Sequence, residues 1–132
     1  MDQAPEDLRT RTKSFALRII RLYASLPKQT DAQVLGKQLL RSGTSIGANY
    51  REAYRARSKA EFTAKVGDCL KEAEETMYWI ELLIDSSIIP ANQLAHLLDE
   101  ANQLTAIFVS SLKKQKGQTQ SRSRSNRKPK PE

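Results

Sequence analysis

Between Leu35 and Ala53 the apolar residues Leu35, Leu39, Ile46, Tyr50 and Ala53 return on one side of a 3.6-residue repeat. That spacing predicts an amphipathic helix. The same stretch carries Gly43 and Gly47 in its interior, each costing roughly 1 kcal/mol against alanine. Ser42, Thr44 and Ser45 offer the backbone competing hydrogen bonds. A helix that keeps such residues predicts a close approach, because small side chains let a second backbone come near. Ser42, Ser45, Asn49 and Glu52 flank the apolar stripe on one edge. Lys37, Arg41, Arg51 and Arg55 lie opposite, in step with Thr44 and Ala48. One helix thus carries a core stripe, a half-buried polar seam and a basic outer face.

Three more amphipathic segments surround it. Pro5 suits a first helical turn, and Glu6 and Asp7 suit the positive end of a helix dipole. A first helix is therefore expected from Pro5 to Leu26, with Leu8, Phe15, Ile19, Leu22 and Leu26 inward. Leu17, Ile20 and Ala24 lie off that stripe. Pro27 discourages continuation. Thr30-Asp31-Ala32-Gln33 has the capping-box pattern, which starts the second helix and carries it to about Arg57. Ser58-Lys59-Ala60-Glu61 repeats the pattern, so a turn is expected at Arg57–Ser58, with a kinked continuous helix as the alternative. The third helix runs to about Ser86 on a stripe of Phe62, Val66, Cys69, Leu70, Ala73, Met77, Ile80 and Ile84. Tyr78 and Leu82 point away from that stripe, with Trp79 between the two faces, which suggests a further buried surface such as a subunit interface. After Ile89-Pro90, a fourth helix from Ala91 to Leu112 turns Leu94, Leu97, Leu98, Ala101, Leu104, Phe108 and Leu112 inward. The expected fold is an all-α, antiparallel up-down-up-down four-helix bundle over residues 1–112.

From Lys113 to Glu132 the apolar pattern stops, so this basic segment cannot bury enough surface to fold and reads as a disordered tail. Charge follows the same divisions. Residues 1–59 hold twelve Lys/Arg and five Asp/Glu, or +7; residues 60–112 hold two and nine, or −7; residues 113–132 hold eight and one, or +7. The body is neutral but polarised, so a basic half and an acidic half can meet within a subunit or between neighbours. The bland alternative is a set of solvated helix faces, whose exposed pairs are worth ~0–1 kcal/mol each. No run reaches the ~20 apolar residues that span a bilayer. The first residues have no apolar signal region, and the single Cys69 fits a reducing compartment. A cytoplasmic protein with no membrane contact is expected.

Catalytic patterns are weak. His96 is the one histidine and falls on the outer side of the fourth helix. A di-metal bundle would need Glu-x-x-His on two helices, so neither metal nor cofactor is expected, and the chain reads as no enzyme. Cys69 sits at a core position and reads as a packing thiol. Ser45, Asn49 and Glu52 read as a polar network that fixes helix register, with Glu72 and Glu75 as partners on the third helix. The tail cations Lys113, Lys114, Lys116, Arg122, Arg124, Arg127, Lys128 and Lys130 have no interleaved aromatics. Such a segment binds phosphates without reading bases, or merely solubilises the chain. Lys37, Arg41, Arg51 and Arg55 extend the same phosphate track.

The pattern Arg41-x-x-x-Ser45-Ile46-x-x-Asn49-x-x-Glu52-Ala53 is followed by Ser58-x-x-Glu61-Phe62. Leu70-Lys71-Glu72-Ala73-x-Glu75-Thr76-x-Tyr78-Trp79-Ile80-Glu81-Leu82-Leu83 comes next. In that order the three segments resemble the bacterial four helix bundle protein family, whose members include proteins encoded within intervening sequences of large-subunit ribosomal RNA genes. The resemblance covers roughly Phe15 to Leu112. That family is similar in fold to the accessory variability determinant of diversity-generating retroelements. The resemblance implies a ring-shaped homopentamer in which Ser45, Asn49, Glu52, Glu72, Glu75 and Trp79 support fold and assembly, and it carries no catalytic residues. Two functions follow as expectations. One is an oligomeric accessory protein that binds RNA or RNA–DNA hybrid with little sequence specificity. The other is a scaffold that docks a partner enzyme, such as a reverse transcriptase.

Overall fold

The computed structural model describes residues 7–126, with side chains through Gly117. Four helices follow one another: α1 (Leu8–Ser25), α2 (Thr30–Tyr54), α3 (Lys59–Asp85) and α4 (Ala91–Asn126). Among the described residues there is no strand. Short connections make neighbouring helices antiparallel. α2 packs on both α1 and α3, α3 also packs on α4, and of the adjacent pairs α1 and α4 approach each other least.

The ends of the helices follow local chemistry, not always as the sequence suggests. α1 is capped by Asp7, whose carboxylate accepts from the Arg9 amide at 2.8 Å. Pro5 and Glu6 lie outside the described residues. The first capping box does not form. Thr30 is already helical, and Gln29 precedes it without a side-chain cap. Gln33 instead donates to the Pro27 carbonyl at 2.7 Å and accepts from the Tyr23 hydroxyl at 3.2 Å, so it ties the connection to α1. The second cap does form. Ser58 Oγ accepts from the Glu61 amide at 3.0 Å, and Glu61 reaches back to the Arg57 amide at 3.2 Å. α2 therefore ends at Tyr54, three residues short of Arg57, and the chain breaks before α3 begins.

α3 closes in a Schellman motif. The Ile88 amide donates to the Leu83 carbonyl at 3.1 Å and the Ser87 amide to the Ile84 carbonyl at 2.9 Å. Ser87 occupies the left-handed position at φ 61°, where glycine is the usual residue.

The expected stripes meet in one core. Phe15, Ile19, Leu39, Ile46, Val66, Ile80, Leu94, Leu104 and Phe108 are almost wholly buried, and Cys69 and Ala73 join them. Leu83, which the periodicity did not place inward, is also fully buried. Three buried hydroxyls sit among them. Thr12 donates to the Leu8 carbonyl at 2.6 Å, and Ser42 and Thr76 share a 2.9 Å hydrogen bond between α2 and α3. With their partners in place, these groups avoid the ~1–3 kcal/mol cost of an unsatisfied buried polar atom.

The glycines of α2 face α1. A Cβ on Gly43 would stand 2.8 Å from Ile19, and one on Gly47 would stand 3.2 Å from the Thr12 hydroxyl. The close approach expected from the sequence is thus made by α1. On the side where α1 and α4 approach least, Arg11 forms a two-pronged bond to Glu100 at 2.7 and 2.8 Å and also donates to Gln103 at 2.8 Å.

The apolar stripe of α4 ends at Leu112, and among the described residues nothing from Lys113 onward joins the core. The helical backbone nevertheless continues to Asn126. Lys and Gln are adequate helix formers, and a helix already nucleated by Leu94–Leu112 extends at little further cost. The side chains of Arg122 and Arg124, and all of Arg127, Lys128 and Lys130, lie outside what is described. No helix among the described residues is long and apolar enough to cross a membrane.

Candidate nucleic-acid interface

The up-down topology brings the start of α1, the end of α2, the start of α3 and the extension of α4 to one end of the bundle. That end is cationic. Arg51 is exposed on the last turn of α2 and Arg55 is its exposed C-cap, Arg57 and Lys59 sit in and after the turn, and Lys113, Lys114 and Lys116 project from α4. A hollow of about 320 Å³ lined by Ala56, Arg57, Ser58, Lys59, Phe62 and Gln115 places the α4 extension beside the α2–α3 turn. None of the side chains of Arg51, Arg57, Lys59, Lys113, Lys114 and Lys116 makes an ion pair among the described residues.

The predicted basic face of α2 is spread along the helix. Lys37 is exposed, but fourteen residues from Arg51 it stands about 21 Å away along the helix. Arg41 stays exposed but leans toward α3. It pairs with Glu72 at 3.3 Å and with Glu75 on α3. Glu75 also accepts from the Trp79 indole N–H at 2.9 Å. Arg41, Glu72, Glu75 and Trp79 thus form one network above the buried Ser42–Thr76 pair.

Of the predicted seam Ser45, Asn49 and Glu52, only Glu52 bonds across to α3 among the described residues, through Lys65. Ser45 Oγ only donates to the Arg41 carbonyl of its own helix at 2.6 Å. Asn49 is half-buried, with no side-chain hydrogen bond among the described residues. Glu52 is exposed and pairs with Lys65 at 3.0 Å. Glu72 and Glu75 do bond across to α2, through Arg41 rather than the seam. A basic residue facing two half-buried carboxylates was the signal to follow.

Tyr78 keeps about half its surface exposed, at 53%, and its ring lies 5.2 Å from that of Trp79. Trp79 and Leu82 are half-buried. Leu17 and Ile20 on α1 are exposed as well.

Four residues of the cationic end were not singled out as binding residues in the sequence: Arg57 and Lys59 around the α2–α3 turn, Tyr54 and Arg9. Tyr54 is 53% exposed between Arg51 and Arg55, and the Arg9 guanidinium lies 3.8 Å from its ring centroid. The signal was present as Arg51-x-x-Tyr54-Arg55, an aromatic set among cations. The Arg9 contact follows only once α1 and α2 are paired antiparallel. Hydrogen bonds from Arg9 lower the Asp7 carboxyl below its ordinary range and hold it charged.

Among the described residues, no group of three or more His, Cys, Asp or Glu side chains could hold a metal ion. His96 is exposed. Cys69 is fully buried, and burial pushes its thiol up to about 12, away from the reactive thiolate.

These features define a small four-helix bundle with a tight α1–α2 contact, an α2–α3 ionic network and one cationic end. The 23S rRNA-intervening sequence protein family matches residues 7–110, and the chain belongs to that family. A crystal structure at 1.70 Å of a protein with unknown function from the S23 ribosomal protein family of Bacteroides thetaiotaomicron VPI-5482 is similar in sequence and fold. The identity is 41% and the TM-score 0.76, over 81% of this chain and 99% of that one. No curated protein matches.

Proposed function

We propose that the chain is a non-enzymatic nucleic-acid-binding accessory protein of the cytoplasm, working as a homo-oligomer. Its cationic end holds the phosphate backbone of RNA or RNA–DNA hybrid with little sequence specificity. The observation that carries this reading is the gathering at one end of Arg51, Arg57, Lys59, Lys113, Lys114 and Lys116, whose side chains have no acidic partner among the described residues. Such cations release counterions from a polyanion when they bind it. Several copies in one particle would multiply the attachment, since tethered sites raise effective concentration. The α3 surface around Tyr78, Trp79 and Leu82 supplies an apolar contact for a neighbouring copy, and a ring of five is the expected closure. The crystallised relative is named for the S23 ribosomal protein family, which makes ribosomal RNA the first ligand to try.

Fluorescence anisotropy with a structured RNA tests this. Affinity should fall linearly with salt on logarithmic axes. Replacing Arg51, Arg57 and Lys59 together by Gln should make that slope shallower by about two to three units. Absence of binding at low salt would refute the reading.

A further inference from the structure

The exposed Tyr54 is the one feature of the cationic end that phosphate binding does not use. Arg9, Arg51, Tyr54 and Arg55 line a shallow hollow of about 200 Å³. The four residues divide the work. Arg9 is committed to Asp7 through side-chain bonds of 2.7 and 3.1 Å, and its guanidinium plane lies over the Tyr54 ring. Its charge is thus largely answered by Asp7, and it serves to hold the ring in place. Arg51 forms no ion pair among the described residues. Arg55 makes only a 3.4 Å bond to the Arg51 carbonyl. Both charges remain available beside the open part of an aromatic ring.

We propose that this hollow is a subsite for one unpaired nucleotide of a single strand, with its base stacked on Tyr54 and its phosphate held by Arg51 and Arg55. This deepens the nucleic-acid reading above and rests on it. Aromatic stacking with flanking cations is how proteins hold unpaired bases without reading their identity. A base inside a duplex keeps both faces covered by its neighbours and cannot offer one to Tyr54. A second hollow, of about 320 Å³, continues from the first. It runs between α1 and α2, lined by Thr12, Lys13, Ala16, Thr44, Gly47, Ala48 and Arg51. Arg51 belongs to both, so a strand leaving Tyr54 passes Arg51 and reaches Lys13. Gly47 and Ala48 keep the floor of that path low, so the glycine that admits α1 also leaves room on the surface. The site prefers single-stranded segments, loops and ends, and adds to the sequence-independent attraction of the α4 cations.

The test uses the full chain with two probes, an oligouridylate and a fully paired, blunt-ended RNA duplex of equal phosphate number. Tyr54→Ala should weaken oligouridylate binding about tenfold or more and leave duplex binding unchanged. Tyr54→Phe should behave as the native chain, because the ring and not the hydroxyl stacks. Arg51→Gln should weaken both. Circular dichroism of each variant checks that the exposed substitution leaves the helices intact. Equal loss for both probes, or no loss for either in Tyr54→Ala, overturns the subsite while the phosphate reading stands. A native chain that binds neither probe overturns both. Displacement of oligouridylate by micromolar adenosine monophosphate would mark a mononucleotide site and overturn the assignment to a strand.

Discussion

The guanidinium of Arg9 at the start of α1 lies 3.8 Å from the ring centre of Tyr54 at the end of α2. Forty-five positions apart in the chain, the two residues meet only because α1 and α2 run antiparallel and very close. That closeness is set further along the same interface, where Gly43 faces Ile19 and Gly47 faces Thr12. The tight helix contact and the arginine–tyrosine stack are two ends of one packing arrangement.

Gly43→Ala should therefore destabilise the protein. The new methyl would stand 2.8 to 3.2 Å from the branched Ile19 side chain, and overpacking of this kind costs about 1–3 kcal/mol. Gly67 is the internal control. It sits inside α3 with nothing within 4 Å of an added Cβ, so Gly67→Ala should stabilise by up to about 1 kcal/mol from helix propensity. Urea unfolding of the two variants should give shifts of opposite sign.

A single backbone position offers a second stabilising change. Ser87 closes the Schellman motif at φ 61°, a conformation that costs an L-residue about 1 kcal/mol or more. Ser87→Gly removes that cost and keeps both capping hydrogen bonds. Part of the gain is offset by glycine's greater freedom in the unfolded chain. A net rise of about 0.5 kcal/mol in unfolding free energy is expected, measurable as a higher melting temperature.

Cys69 makes a pH-dependent contribution. Burial raises its thiol from 9.0 to about 12 in the folded state, so the folded protein keeps a proton that the unfolded chain gives up. That part of the stability is complete below the unfolded thiol's range and is lost as pH rises from about 9 toward about 12. Between those limits the native chain should lose stability more steeply with pH than Cys69→Ala, by up to about 1.4 kcal/mol per unit. Thiol reagents at pH 8 should label the chain quickly in urea and slowly in its absence.

Assembly can be read through the single tryptophan. Trp79 is half-buried, bonded to Glu75 and adjacent to the exposed Tyr78. If this face meets another copy, Tyr78→Asp should yield a smaller particle with unchanged helix content. Its Trp79 emission should match that of the diluted native protein. An unchanged particle mass would place the subunit contact elsewhere.

Much of the fold was legible because it depends on periodicity. Phe15, Ile19, Leu39, Ile46, Ile80, Leu94, Leu104 and Phe108 recur at helical spacing, and burial follows from that spacing alone. The Ser58 cap was also legible, since its partner Glu61 is local. What stayed hidden depends on pairing between helices. Arg41 shares a face with Arg51 on a helical wheel, yet α3 brings Glu72 and Glu75 within its reach and pairs its charge. Glu72 and Glu75 were expected to meet Ser45, Asn49 and Glu52, but they bond to Arg41 instead. The first capping box gives way to bonds of Gln33 with the Pro27 carbonyl and the Tyr23 hydroxyl, the second of which exists only once α1 and α2 are paired. The basic end of the bundle was visible as separate charge runs, and the topology alone gathers them.

The most direct test is size-exclusion chromatography with light scattering, with and without a short structured RNA, at low and moderate salt. The account predicts a multi-chain particle, of about five copies, that gains the mass of RNA at low salt and releases it as salt rises. A monomer, or a particle whose mass RNA does not change at low salt, would contradict it.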